Sequence, residues 1–209
     1  RVIFGVNQAF DKVILKPVTF AYRSLTPDFF RKGVSNFLHN LKSPVILVND
    51  ILQGEIGRAG DTVARFVINS TVGIFGLVDV AENLGFEQHN EDFGQTLAVW
   101  GFGEGPYLML PILGPSNPRD AIGRVVDFFV DPINWWVAPD DNRIPIIRTA
   151  VSAIDLRDRL WENLEEIDKN SIDPYASYRS MYRQRRNDEI RNGSNSQSKT
   201  DLEPTKPIY

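Results

Sequence analysis

The distribution of charge constrains this chain more than any other feature of its sequence. Residues 43–118 carry only eleven charged side chains in seventy-six positions, and no lysine lies between Ser43 and Asp168. Residues 155–189, by contrast, carry sixteen charges in thirty-five positions. A soluble domain ordinarily spreads lysine and glutamate over its whole surface, with about 25% of its residues charged. Much of this chain is therefore unsuited to facing water on every side.

Two predicted helices, at 56–71 and 118–130, combine a narrow polar stripe with a broad apolar face. The polar stripe of the first consists of Arg58, Asp61, Thr62, Arg65 and Asn69. The stripe of the second consists of Asp120, Arg124 and Asp127, with Asp131 next in line. A surface helix of a soluble protein usually has the opposite proportions, with a broad polar face and a narrower apolar one.

Composition alone leaves two interpretations of these helices open. Each helix could lie in an ordinary bundle, buried on most sides, with its polar stripe reaching solvent. Alternatively, its apolar surface could meet lipid while the stripe faces a wet interior. The neighbouring segments are equally poor in charge, which favours the second interpretation without excluding the first.

Turn and capping residues predict an all-α chain with short connections. Helix starts marked by a capping side chain followed by proline occur at Thr26-Pro27, Ser43-Pro44, Asn117-Pro118 and Asp173-Pro174. The predicted helices span about 3–14, 27–41, 44–53, 56–71, 92–100, 118–130, 145–168 and 174–190. We predict one helical domain over 1–186. Residues 187–209 are polar with almost no apolar side chain, which predicts a disordered tail.

The segment 72–116 is expected to have an irregular backbone. It contains eight glycines and three prolines, a density that favours tight turns and close approach of segments. The longest uncharged stretches, 66–78 and 105–118, contain thirteen and fourteen residues. A spanning helix needs about 20 apolar residues, so the sequence predicts no conventional transmembrane helix.

Several classes of function lack the residues that they need. The chain has no cysteine and two histidines, which excludes disulfides, thiolate chemistry and a histidine-rich metal site. It contains no nucleophile elbow, phosphate-binding loop, dinucleotide fingerprint or His-Glu-x-x-His motif. A net charge of −4 gives no reason to expect nucleic-acid binding. We predict no enzymatic activity, no cofactor, no metal and no nucleic-acid partner.

The two histidines receive different predictions. His39 is expected on the polar surface of its helix. His89 precedes Glu91 and Asp92, and these three form the only candidate acid–base cluster. No serine or cysteine nucleophile lies near them in the sequence, which argues against catalysis.

Three long motifs carry a resemblance to a known family. They are GVSNFLHNLKSPVILVNDILQG, RFVINSTVGIFGLVDVAENLG and EDFGQTLAVWGFGEGPYLMLPILGPSNPRDAIG. In order and spacing they closely resemble the MlaA (VacJ) family of bacterial outer-membrane lipoproteins, with similarity from about Phe4 to about Arg183. The resemblance implies a ring of helices around an amphipathic channel, embedded in the inner leaflet of the outer membrane. It also implies a lipid-anchored precursor, although no anchor cysteine lies in this chain.

The resemblance also implies a function and its partners. Phospholipid misplaced in the outer leaflet would pass through the channel to a soluble periplasmic carrier, which maintains outer-membrane lipid asymmetry. Trimeric porins would be the partners in the membrane. The alternatives are a scaffold that packs against porins without moving lipid, and a phospholipase that uses His89.

The candidate site residues come from the stripes, the motifs and the charged carboxyl-terminal helix. The candidate channel residues are Asn49, Arg65, Asn69, Asp92, Gln95, Asp120, Arg124 and Asp127. The candidate contacts with headgroups or with the carrier are Arg179, Arg183, Arg185 and Arg186. A merely solvated helix face explains these four arginines equally well.

Overall fold

Helices dominate the computed structural model, which describes residues 1–137 and 143–192. The α-helices are α1 Val2–Phe10, α2 Lys16–Leu25, α3 Asp28–Gln53, α4 Ile56–Thr71, α5 Val80–Asn83, α6 Phe93–Val99, α7 Pro118–Val130, α8 Arg143–Arg159, α9 Trp161–Asn170 and α10 Pro174–Ile190. Single π-helical segments lie at Asp11–Leu15 and Ile133–Val137. Strands β1 Leu108–Leu110 and β2 Gly114–Ser116 pair as an antiparallel hairpin. The all-α prediction is confirmed, and the hairpin is its one local exception in the described residues.

The predicted helix break at Ser43-Pro44 is wrong. Helix α3 runs without interruption from Asp28 to Gln53 and contains Pro44 in its interior. Burial of Ser43, Val45 and Ile46 on both sides of the proline holds the segment helical, so tertiary packing overrides the local signal. The helix ends at Gly54, whose φ of 80° is the left-handed conformation that glycine adopts most readily.

Other boundaries also differ from the prediction. The first helix continues past residue 14, because a π-helical turn carries the chain into α2, with Pro17 in its first turn. The predicted helix at 145–168 is two helices, α8 and α9, which meet at Leu160. The predicted tail begins at 187, but α10 continues to Ile190; the tail from 193 to 209 lies outside the described residues.

Polar side chains fill the interior, and apolar side chains cover much of the surface. In α4 the buried residues are Ala59, Thr62, Arg65 and Asn69. Phe66 and Val67 point outward, and Val67 is 53% exposed. In α7, Asp120 is buried while Phe129 is 61% exposed. The interpretation in which each helix is buried on most sides is therefore wrong, since the apolar faces are exposed and the stripes contain buried residues, although Arg124 is exposed.

Hydrogen bonds and ion pairs hold this interior together. The side chain of Asn69 accepts the backbone N–H groups of Val80 and Ala81, at 2.9 and 3.0 Å, and donates to Asp79 at 3.0 Å. Arg65 forms an ion pair with the same carboxylate. Although burial acts to raise it, these partners keep the pKa of Asp79 below its ordinary value. A buried polar network of this kind is stable only when its members are satisfied.

Within the described residues, no helix is both long enough and apolar enough to cross a membrane.

Helices α6 and α7 approach each other closely at two glycines. A Cβ atom placed on Gly123 would lie 2.3 Å from the backbone nitrogen of Gly94. A Cβ atom placed on Gly60, in the second turn of α4, would have no neighbouring heavy atom of the described residues within 4 Å. Gly123 is therefore required by the packing of α6 on α7, whereas packing does not require a glycine at position 60.

Replacing these two glycines by alanine should have opposite effects on stability. Gly123→Ala should lower the free energy of unfolding by about 1–3 kcal/mol or more, because the two helices must separate. Gly60→Ala should raise it by about 0.5–1 kcal/mol, since alanine restricts the unfolded chain and favours helix. Thermal unfolding followed by circular dichroism in detergent measures both. Equal midpoints for the two variants would contradict the close approach.

Candidate functional site

A cavity of about 910 Å³ lies among α1, α3, α7, α8, α9 and α10. Its lining is amphipathic, because charged groups alternate with side chains of leucine, isoleucine, methionine and phenylalanine. The carboxylates that line it are Asp11, Asp92, Asp120, Asp127, Asp155, Asp168 and Glu189. The cationic side chains are Lys12, Lys42, Arg124, Arg148, Arg157, Arg159, Arg185 and Arg186. Such a lining suits a ligand that has both charged and apolar parts.

Arg186 joins two carboxylates at the wall of this cavity. Its guanidinium donates two hydrogen bonds to Asp92, at 2.6 and 2.7 Å, and one to Asp120 at 3.0 Å. The paired contact with Asp92 is bidentate, which is the strongest arrangement for this type of ion pair. Burial acts to raise the pKa of Asp92, but the hydrogen bonds and charge of Arg186 hold it well below its usual range.

Asp120 is also the centre of a second set of bonds. Its backbone N–H donates to the side chain of Asn117 at 2.8 Å, which caps α7, and the Asn117 amide donates back to its carboxylate at 2.9 Å. Arg119 donates to the same carboxylate at 3.1 Å, and the hydroxyl of Tyr182 also donates to it. Burial and this hydrogen bond raise the pKa of Tyr182 above its ordinary value.

Asp127 lines the cavity without a cationic partner in residues 1–137 and 143–192. Its carboxylate accepts hydrogen bonds from the Asn49 side chain at 3.1 Å and from the backbone N–H of Phe93 at 3.1 and 3.2 Å. Burial and the neighbouring negative charge of Asp92 raise the pKa of Asp127 to about 6. This carboxylate therefore holds a charge that its surroundings only partly compensate.

The β-hairpin forms part of the cavity wall and is held from two sides. Asn7 in α1 donates to the carbonyl of Leu110 at 2.8 Å and accepts the N–H of Ile112 at 2.8 Å. Arg124 in α7 donates to the carbonyls of Leu113 and Pro115, at 3.3 and 3.2 Å. The irregular segment expected from glycine and proline therefore has a defined position.

The structure brings five of the eight candidate channel residues to the cavity: Asp92, Gln95, Asp120, Arg124 and Asp127. Asn49 is buried behind the wall, where it binds Asp127 and accepts the hydroxyl of Thr96 at 2.7 Å. Arg65 and Asn69 do not line the cavity, because Asp79 and the start of α5 hold them between helices. A role in binding stays a prediction for the five.

The four candidate arginines of α10 differ in their surroundings. Arg185 and Arg186 line the cavity, whereas Arg179 and Arg183 do not. Arg186 pairs with Asp92 and Asp120 and also contacts Glu189 at 3.2 Å. Arg185 pairs with the same Glu189 at 2.8 Å. Arg183 pairs with Glu104 at 3.1 Å, and Arg179 is exposed.

Neither histidine occupies the predicted surroundings. His39 is half-buried, with its Nε2 atom 2.9 Å from the carbonyl oxygen of His89, and burial lowers its pKa to about 4. The surface prediction for it is therefore wrong. His89 contacts Asp50 rather than its sequence neighbours, at 3.1 Å to both carboxylate oxygens. Its contact with Thr62, at 3.2 Å, uses the same Nε2 atom, so the ring cannot link the two as a hydrolase triad does.

Sequence reasoning missed the contribution of α3 to the cavity. Ser35, Leu38, His39 and Lys42 line it at spacings of three and four. The same periodicity continues to Asn49, but the expected break at Ser43-Pro44 separated the two halves of this face. The spacing of these residues is in the sequence, but it indicates a shared face only if the helix continues through Pro44.

Removing the guanidinium of Arg186, which pairs with both Asp92 and Asp120, should destabilise the protein strongly. Arg186 is only 7% exposed, so Arg186→Met should lower the free energy of unfolding by about 3–5 kcal/mol, because it leaves Asp92 without its cation and Asp120 with Arg119 alone. Arg185→Met removes a solvent-exposed pair of the same helix and should cost less than about 1 kcal/mol. Chemical denaturation in detergent measures both, and equal losses would argue against Arg186 as the link.

Comparison with known proteins supplies the family. The profile of the MlaA lipoprotein family matches residues 1–189. The Escherichia coli (strain K12) protein named intermembrane phospholipid transport system lipoprotein MlaA is 32% identical over 197 residues, covering 92% of this chain and 76% of the relative. An uncharacterized protein of Rickettsia bellii (strain RML369-C) is 37% identical over 187 residues, covering 89% of this chain and 72% of the relative.

A solved structure agrees with these relatives. It is described as the structural basis for maintenance of bacterial outer membrane lipid asymmetry, and it superposes with a TM-score of 0.78 at 33% sequence identity. The superposition covers 91% of this chain and 95% of that chain. The resemblance carried by the three sequence motifs is confirmed: this chain belongs to the MlaA lipoprotein family.

Proposed function

We propose that this protein maintains the lipid asymmetry of the outer membrane by passing mislocalised outer-leaflet phospholipid through its cavity to a soluble periplasmic carrier. The observation that carries the proposal is an amphipathic cavity of about 910 Å³ inside a helical body whose outer faces are apolar. A phospholipid needs polar contacts for its headgroup and apolar contacts for its chains, and this lining offers both. The names of the Escherichia coli relative and of the solved structure support the same function.

The apolar outer faces support a position within the inner leaflet. Large apolar side chains exposed along α3, α4 and α7 would cost about 25 cal/mol per Å² in water, but nothing against acyl chains. Irregular backbone such as the hairpin is tolerated at membrane depth where it lines a polar cavity. The charged helices α8–α10 would then face the periplasm. The lipid anchor expected on the precursor stays a prediction.

The carrier and the porins remain partners inferred from the family. On α10, Arg179 is exposed and outside the cavity, so it could contact a carrier or anionic headgroups. Transfer of lipid between these partners makes and breaks no covalent bond. Because the same Nε2 atom of His89 contacts both Asp50 and Thr62 and no hydrolase triad forms, we propose transport rather than phospholipase activity.

A scaffold that packs against porins without moving lipid is the second candidate function. An exposed aromatic cluster of Phe128, Phe129 and Trp135 favours it, since the rings of Phe129 and Trp135 stack at 5.7 Å. Aromatic clusters of this kind are common at protein interfaces. The scaffold, unlike the transporter, needs no open cavity.

Filling the cavity should separate these two functions. Ala153 in α8 lines the cavity, and Ala150, three residues earlier in the same helix, is exposed outside it. Ala153→Trp should raise outer-leaflet phospholipid to the level found without the protein, because the indole blocks passage. Ala150→Trp should leave it unchanged. The measurement is the phospholipid that added phospholipase reaches on intact cells, in a bacterial strain that has this protein as its only MlaA.

Protein abundance and porin co-purification are measured in the same cells. Normal asymmetry with Ala153→Trp, at normal abundance and with a porin still bound, would contradict transport through the cavity and support the scaffold.

A further inference from the structure

Most charges that line the cavity are neutralised by a neighbouring side chain. Arg186 neutralises Asp92 and Asp120, as described above. The other ion pairs of the wall join Asp155 to Arg159 at 3.0 Å, Asp11 to Arg157 at 2.9 Å, and Glu189 to Arg185 at 2.8 Å. A ligand entering the cavity therefore meets few free charges.

Lys42 and Asp127 are two opposite charges of the wall that the described residues leave without an ion-pair partner, and both are partly buried. Lys12 and Arg124 also lack a carboxylate partner in the same part of the chain, but both are exposed, and Arg124 donates to the hairpin. Asp168, another unpaired carboxylate, lies on α9 beside Tyr178.

Helix α3 brings Lys42 toward Asp127. Lys42 and Asn49 are seven residues apart in one helix, so they share a face about two turns apart. Asn49 donates to the Asp127 carboxylate at 3.1 Å, which fixes that face against α7. Lys42 and Asp127 line the same cavity, yet they form no ion pair with each other. A gap therefore separates an ammonium group from a carboxylate.

An unsatisfied acceptor lies in the same wall. The side chain of Gln95 is 1% exposed, and its Oε1 atom has no hydrogen-bond donor in the described residues. Its Nε2 atom donates to the carbonyl of Asn90 at 3.1 Å and to Asp92 at 3.4 Å. A buried oxygen without a donor costs free energy until a ligand or water supplies one. An ammonium group is rich in donors and has no acceptor, which makes it a suitable ligand.

We propose that Lys42 and Asp127 form a subsite for the headgroup of a zwitterionic phospholipid, with the phosphodiester at Lys42 and the ammonium at Asp127. Two carbon atoms separate nitrogen from oxygen in phosphoethanolamine, so one headgroup presents both charges to the two sides of the gap. A phosphoglycerol headgroup would bring no cation to Asp127. This inference rests on the proposed function, because it names the class of phospholipid that the cavity accepts.

The test is competitive lipid binding to the full-length protein in detergent, measured by native mass spectrometry. Phosphatidylethanolamine and phosphatidylglycerol with identical acyl chains are supplied in equal amounts. Wild type should bind more phosphatidylethanolamine, and Asp127→Asn should lower the ratio of the two bound lipids about tenfold, because only one of them carries the ammonium. Lys42→Gln should weaken both lipids about tenfold and leave the ratio nearly unchanged, since both have the phosphate.

Two matched controls carry the same changes of charge away from the cavity. Lys32 and Glu87 are exposed and do not line it, so Lys32→Gln and Glu87→Gln should bind both lipids as wild type does. Circular dichroism verifies that each variant is folded, and Lys42→Gln tests the subsite independently of Asp127. If wild type and Asp127→Asn bind phospholipid with the same ratio, or Lys42→Gln binds as wild type does, the subsite is refuted while the proposed function stands. If wild type binds no phospholipid, the proposed function itself fails.

Discussion

The pairing of one guanidinium with two carboxylates organises this molecule. Arg186 belongs to α10, Asp92 caps α6, and Asp120 lies in the first turn of α7, so a single side chain links three segments that are far apart in sequence. Because Arg186 is nearly inaccessible to water, its charge must be balanced locally. The carboxyl-terminal helix is thereby held against α6 and α7, and residues of all three helices line the cavity.

Because the interior is polar, hydrogen-bond geometry specifies this fold more than side-chain volume does. Apolar cores tolerate many combinations of similar volume, whereas a hydrogen bond requires one donor, one acceptor and a narrow range of distances. Asn69 illustrates the difference, since it receives two backbone N–H groups and donates to Asp79 in one arrangement. Close packing of α6 on α7 at Gly94 and Gly123 adds a steric requirement of the same strictness. Many surface positions, in contrast, require only an apolar side chain.

The sequence predicted the features that depend on periodicity and failed where distant segments decide. The bounds predicted for α4 and α7 match the structure, because the polar stripes of both helices and the Asn117 cap of α7 are local signals. Pro44 gave a false end to a helix that buried neighbours keep continuous. The sequence placed Asp120 and Asp127 on one polar stripe and left open which way it faces. The pairing of Asp120 with Arg186, and the lack of an ion-pair partner for Asp127 within the described residues, depend on contacts across the fold. The hairpin at 108–116 has too few residues to produce an alternating pattern.

The hydrogen bonds of Asn7 and Arg124 to the hairpin involve only its main chain. Asn7 and Arg124 bind carbonyl oxygens and one amide, and they touch no functional group in the side chains of Ile112 or Leu113. Both of these side chains are exposed at the tip. The hydrogen bonds that position the loop are therefore independent of the side chains that it displays. Substitutions at the tip can therefore change the surface that the loop displays without removing any of the hydrogen bonds that anchor it.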